Sequence, residues 1–179
     1  MSNFYREYFQ IMNDCLIKVD HNLLIKSVDL IIESNKKGKK IIVVGNGGSA
    51  AMASHVAVDF TKAAGIRAVT FNEADLLTCF GNDYGYENWV EKALGFYADP
   101  GDTAILISSS GTSPNILKGT AKAREMGLST ITLSGFKNDN PLRELGDINL
   151  WADSQAYNVV EMTHHIWLVG MVDYIINLK

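Results

Sequence analysis

The stretch Ile41–Phe60, IIVVGNGGSAAMASHVAVDF, decides the fold. Ile41, Ile42, Val43 and Val44 form an unbroken β-branched run, the pattern of a strand buried on both faces. Gly45-Asn46-Gly47-Gly48-Ser49 then reads as a turn, and Ala50-Ala51-Met52-Ala53 as the start of a helix. Strand, glycine turn and helix start together make an anion site. Glycine lets the backbone approach a ligand, and the first N–H groups of the helix point at it. A plain βα turn would use glycine as well, so this stretch alone leaves the ligand open. The Gly-Lys-Ser/Thr ending of a phosphate-binding Walker loop is missing, and the glycine spacing fails the dinucleotide fingerprint. No nucleotide cofactor is expected.

Upstream of the strand, Phe4, Tyr8, Ile11 and Cys15 recur at helical spacing, and so do Leu24, Val28, Ile31 and Ile32. A break falls near Asp20-His21-Asn22, with His21 a surface or helix-start residue. Two amphipathic helices over residues 1–37 exceed what a single α/β domain needs, so they are expected in an oligomer interface, with packing on the sheet as the alternative. Lys36-Lys37-Gly38-Lys39-Lys40 is a solvated turn.

Downstream, a helix runs from about Ser49 to Ala64, and Ile66–Phe71 is a short strand. Asn72 or Asp75 caps a helix over Leu76, Leu77 and Phe80, which ends in a polar loop at Gly81-Asn82-Asp83-Tyr84-Gly85. Glu87–Tyr97 is a further helix, and Asp99-Pro100-Gly101-Asp102 is a turn. Strands are expected at Thr103–Ile107, Ser129–Leu133 and Ile148–Trp151, with helices at Pro114–Met126 and about Asn158–Leu178. Strand and helix alternate, so the class is α/β with a mostly parallel sheet.

Composition bounds the rest. With 179 residues and 47% apolar content, the chain reads as one globular domain over 1–179. The net charge of −4 and the lack of a basic block argue against nucleic acid. Cys15 and Cys79 sit in apolar contexts and read as buried thiols of a reducing compartment. The start of the chain has no signal-peptide core, and no apolar run reaches membrane-spanning length. These features point to the cytoplasm and against a membrane partner.

Two strand ends carry ligand-ready loops: Asn46–Ser49 and Ser108–Ser113. In an open parallel sheet, ligands sit beyond the carboxyl ends of the strands. The second loop packs four serines and a threonine into six residues before a helix. Hydroxyls and helix-start N–H groups are what a phosphate dianion needs where no lysine is supplied.

Gly45-Asn46-Gly47-Gly48-Ser49-Ala50, Gly81-Asn82-Asp83 and Ile107-Ser108-Ser109-Ser110-Gly111-Thr112-Ser113, in this order, resemble the sugar isomerase (SIS) domain. The likeness covers essentially the whole chain and lies nearest the bacterial phosphoheptose isomerases, which convert sedoheptulose 7-phosphate to D-glycero-D-manno-heptose 7-phosphate for surface polysaccharide. The resemblance implies a five-stranded parallel sheet in a flavodoxin-like αβα sandwich with two extra N-terminal helices. It implies a homotetramer with sites between subunits. It also implies phosphate bound by Ser108, Ser110 and Ser113, and sugar contacts from Asn46, Ser49 and Asp83. Gly47, Gly48, Asn82 and Ser109 complete the binding set.

Isomerisation through an enediol needs a base that moves a proton between adjacent carbons, and an acid or metal that handles the oxygens. His55 and Asp59 are four apart and share a helix face. The family carries histidine and glutamate there, the glutamate being its base and both able to bind zinc. Asp59 keeps the carboxylate on a shorter arm. The family's final helix carries a glutamine and, eight residues on, a catalytic histidine. Matched through Glu161-Met162, those positions are Val160 and Leu168. His164 lies four residues from each, on the same face, and is expected to replace them as acid or ligand. His55, Asp59 and His164 then form a candidate partial zinc site. Glu161, four residues before His165, is an alternative base or a partner for it, and His165 itself reads as a core or interface residue. The expected activity is a phosphosugar isomerase with Asp59 as base. The alternative is a non-catalytic SIS module that binds a sugar phosphate or a protein partner, as in a replication-initiator adaptor.

Overall fold

A computed structural model describes residues 3–178, so the span expected for the domain, 1–179, extends past the described residues at both ends. Five strands build one parallel sheet: β1 (Ile41–Val44), β2 (Ala68–Thr70), β3 (Thr103–Ser108), β4 (Ser129–Ser134) and β5 (Ile148–Trp151). Their order across the sheet is β2-β1-β3-β4-β5. The helices are α1 (Phe4–Ile17), α2 (His21–Lys36), α3 (Gly48–Lys62), α4 (Ala74–Tyr84), α5 (Trp89–Tyr97), α6 (Pro114–Glu125) and α7 (Tyr157–Asn177). Chain order reverses direction between β1 and β3, which pair directly from Ile41 opposite Thr103 to Val44 opposite Leu106. That junction is the switch point of a doubly wound sheet.

The side-chain alternation of β1 divides the core. Ile41 and Val43 join Ile105, Ile107, Ile131 and Leu133 beneath α2, α3 and α7. Ile42 and Val44 join Ala104 and Leu106 beneath α5 and α6. All four β1 residues and all six of β3 are buried, as strands covered on both faces must be.

Asp20 caps α2 by accepting a bond from the Asn22 N–H at 2.9 Å, which places the break between the first two helices where the sequence has it. The two helices differ in role. Ser27, Val28, Ile31 and Ser34 of α2 are buried, and α2 reaches β1, β3 and β5. α1 packs on α7, and Cys15 is its buried residue. Phe4, Tyr5, Phe9 and Ile17 of α1 stay more than half exposed.

Three local expectations change. Residues Gly81-Asn82-Asp83-Tyr84 are the last turn of α4, not a loop, because the helix continues until Gly85 takes a φ of +85°. Cys79 is exposed, its thiol 3.6 Å from Asp83 Oδ2, because α4 buries none of its residues. Glu73, not Asn72 or Asp75, holds the N-cap position of α4 and makes no side-chain cap, while Asn72 bonds to Gly45 instead.

Candidate active site

The switch point brings the two ligand-ready loops together at the carboxyl ends of β1 and β3. Each loop is fixed from outside. Asn72 clamps Gly45, accepting from its N–H at 3.2 Å and donating to its carbonyl at 2.8 Å. Gly47 has φ +55° and ψ −121°, a backbone state open to glycine, and its carbonyl accepts from the Ala50 N–H to start α3. Asn46 and Asn115 exchange two amide bonds of 3.0 and 2.9 Å, and Tyr86 donates to the same Asn46 oxygen at 3.0 Å. The β1 loop is thereby tied to the first turn of α6.

In the serine loop, Ser108 Oγ donates to Ser113 Oγ at 2.9 Å, and Ser110 Oγ lies 2.9 Å from Thr112 Oγ1. Ser109 Oγ is buried with no protein partner. Gly111 turns the loop with φ +68°, and a Cβ there would overlap the Asn140 amide. Asn140 is itself held by Ser134, Gly135 and Lys137. Ser113 precedes Pro114 at the start of α6 and makes no side-chain cap, so its hydroxyl serves Ser108 and the open side. Buried hydroxyls at a helix N-terminus suit an anion.

These loops line a cavity of about 260 Å3, with Asn46, Gly47 and Ser49 on one side and Ser108, Ser109, Ser110 and Ser113 on the other. Two residues of α7 complete it: Tyr157 and Glu161. The Glu161 carboxylate lies against the first turn of α3, so close that a Cβ at Gly48 would overlap it. Gly48 is therefore the residue that admits a carboxylate to this helix start. Partial burial pushes the Glu161 carboxyl above its ordinary value.

The histidines are placed differently from expectation. His164 is fully buried, and its Nε2 donates to the Ser134 carbonyl at 2.9 Å. Its Nδ1 is buried without a partner, and burial lowers its pKa to about 4. It is a neutral core residue. It shares a face with Val160 and Leu168 as expected, but both of those are fully buried, so the face is core. His165 is the one that meets His55: its Nε2 lies 2.8 Å from His55 Nδ1, with the rings edge-on at 5.0 Å. His55 Nε2 lies 3.1 Å from Asp59 Oδ2. If the proton on His55 Nε2 serves Asp59, His165 Nε2–H donates to His55 Nδ1, and His165 Nδ1 keeps its lone pair. Burial holds His165 below its ordinary value, His55 adds to that, and Asp59 opposes it.

The trio His55, Asp59 and His164 is therefore not assembled. Nor do His55, Asp59 and His165 fit a zinc ion, because Asp59 and His165 attach to opposite nitrogens of one imidazole and their donor atoms do not converge. Among the described residues, no group of three or more His, Cys, Asp or Glu is placed to hold a metal ion. Asn82 and Asp83 bond to each other at 2.9 Å on exposed α4 and do not line the cavity. Glu161 makes no bond to His165, which is engaged by His55. Asn115, Asn140 and Tyr157 carry no sequence pattern that marks them, and Asn72 reads as a helix cap because its contact with Gly45 lies 27 residues away in the chain. No helix among the described residues is long and apolar enough to cross a membrane.

Comparison with known proteins agrees with this geometry. The SIS domain signature matches residues 4–135. The phosphoheptose isomerase of Clostridium acetobutylicum is 41% identical over 144 residues, covering 76% of this chain and 72% of that one. The phosphoheptose isomerase of Helicobacter hepaticus is 37% identical over 154 residues, covering 82% and 77%. Among solved structures, the phosphoheptose isomerase of Neisseria gonorrhoeae superposes with a TM-score of 0.87 at 25% identity, covering 97% of this chain and 96% of that one. That of Francisella tularensis gives 0.89 at 21% identity, with 99% and 96% covered. On that signature and those identities, the chain belongs to the SIS domain family, among its phosphoheptose isomerases.

Proposed function

We propose that the protein isomerises sedoheptulose 7-phosphate to D-glycero-D-manno-heptose 7-phosphate, a step toward surface-polysaccharide heptose. The observation that carries this reading is that the serine loop and the Glu161 carboxylate line one cavity. Ser108, Ser110 and Ser113 hold the phosphate at the start of α6, and the unpartnered Ser109 hydroxyl adds a fourth donor. Asn46 and Ser49 face the sugar chain.

Glu161, not Asp59, is the base in this reading. Its carboxylate takes a proton from C1, and the electron pair forms the C1–C2 double bond of an enediol as the C2 oxygen gains a proton. The C1 hydroxyl then loses its proton and becomes the aldehyde, while C2 takes a proton from the Glu161 carboxyl, which exchanges with water at the enediol stage before it delivers. A base with a raised pKa serves both halves, since it must give up the proton it accepted. His165 lies one helical turn beyond Glu161, outside the residues that line the cavity, and handles the oxygen protons through water, backed by His55 and Asp59.

We place this chemistry in one domain of a cytoplasmic homo-oligomer. The two free thiols fit a reducing compartment. The exposed aromatic face of α1 and the apolar groove of about 350 Å3 between α2 and α7 fit contacts between copies. The non-catalytic alternative does not account for a carboxylate in the phosphate cavity. Turnover of sedoheptulose 7-phosphate followed by proton NMR tests the reading: an aldose product supports it, and binding without conversion refutes it.

A further inference from the structure

Phe136 is the sole non-glycine residue with positive φ among the described residues, at +56°. Bulky L side chains rarely adopt this conformation, and where they do it points to a constraint worth explaining. The constraint is visible in what its neighbours touch. The preceding Gly135 N–H donates to the Ser109 carbonyl at 2.9 Å, which ties this turn to the serine loop. The Phe136 N–H donates to the Ser154 carbonyl at 2.9 Å, which ties it to the segment entering α7. The Phe136 ring then meets the Tyr157 ring edge-on, with centroids 4.7 Å apart. Tyr157 opens α7, lines the serine-loop cavity and leaves 58% of its surface open. It lies four residues before Glu161 and so shares its helix face.

We propose that Tyr157 is a substrate-binding residue for the carbon chain of a phosphorylated sugar, and that Phe136 is its positioning residue. This rests on the cavity being the sugar-phosphate site proposed above. Serines supply what a phosphate needs, but nothing in that loop offers an apolar surface. A polyhydroxylated chain has C–H faces as well as hydroxyls. An aromatic ring with a phenolic oxygen meets both, and it does so with few rotamers to freeze. The turn at Phe136 holds that ring at a set distance from the phosphate loop, because one short segment is bonded to both. The strain at Phe136 is thus spent on geometry between the phosphate end and the chain end of the ligand.

Calorimetry with sedoheptulose 7-phosphate and with inorganic phosphate tests this on wild type, Tyr157→Ala, Phe136→Gly and Phe136→Tyr, each checked by its melting temperature. Loss of the ring should weaken sugar phosphate binding in Tyr157→Ala by about tenfold while phosphate binding changes less than about twofold. Phe136→Gly, which suits the positive φ but removes the ring, should reproduce that selective loss, and Phe136→Tyr should restore wild-type affinity. Equal losses for both ligands, or no loss for the sugar phosphate in Tyr157→Ala, overturn the assignment to Tyr157. Full sugar phosphate affinity in Phe136→Gly overturns the positioning role. Calorimetry needs no turnover, so a wild type that binds the sugar phosphate without converting it refutes the isomerase reading while the affinities still decide the role of Tyr157.

Discussion

Gly48 and Glu161 are separated by more than a hundred residues, yet each explains the other. The missing Cβ is what lets the carboxylate reach the start of α3. Gly48→Ala therefore displaces a flexible carboxylate rather than backbone. Its stability should stay within about 1 kcal/mol of wild type, and its turnover should fall by on the order of tenfold or more. Steady-state kinetics beside urea unfolding separate the two. The pH dependence follows from direction. As the proposed base Glu161 works only when ionised, and burial raises its pKa, so turnover should fall as pH drops through a value above that of an ordinary glutamate. His164 sets a different pH dependence, that of stability. Its pKa is about 4 in the folded protein against 6.5 for the free side chain. Between those values the unfolded chain holds a proton that the folded protein does not. The contribution of His164 is complete above pH 6.5 and should decline as pH falls toward 4, by about 3 kcal/mol in all. His164→Leu should flatten that decline in urea titrations at pH 7 and pH 5, while losing no more than about 1 kcal/mol at pH 7 for one hydrogen bond, since the Ser134 carbonyl keeps the Ala152 N–H at 2.8 Å.

α7 shows how much of an element can be read from sequence and how much cannot. Its extent was legible, since a long apolar segment follows the last strand. Which side faces inward was not, because buried residues occur at 159–160, 163–164, 167–168, 171–172 and 175, a wide stripe that includes His164 and ends just short of His165. One step along a helix turns a side chain by about 100°, and that step separates a core histidine from the one facing His55. His164, Val160 and Leu168 share a face, and that face is core, since all three are fully buried. β1 and β3 were legible for the opposite reason. Continuous apolar runs, Ile41–Val44 in β1 and residues 104–107 in β3, have one stable place in an α/β protein, between two layers of helix, and the loops after them fall at the switch point. The continuation of α4 through Gly81-Asn82-Asp83 was hidden because three turn-forming residues can also end a helix. At this scale His165→Phe should remove the partner of His55 while keeping ring volume. Turnover should fall by about 10²-fold with little change in phosphate affinity, as expected for a group that handles protons.

The whole molecule places its chemistry at one edge and its apolar surface at another. The serine-loop cavity lies beyond the carboxyl ends of β1 and β3, while α1 and the α2–α7 groove carry exposed Phe4, Tyr5, Phe9 and Ile25. A surface of that kind is expected to be covered by another copy, so light scattering should give a mass that is a multiple of 19.7 kDa, and Phe9→Lys should lower it. A species of 19.7 kDa in the unaltered protein would contradict this. The central claim concerns the base, and the most direct measurement is proton NMR of sedoheptulose 7-phosphate turnover in D₂O by wild type and Glu161→Gln. The account predicts an aldose carrying deuterium at C2 from the wild type. From Glu161→Gln it predicts a rate lower by about 10²- to 10⁴-fold with phosphate affinity retained. An aldose formed at the wild-type rate by Glu161→Gln would contradict it.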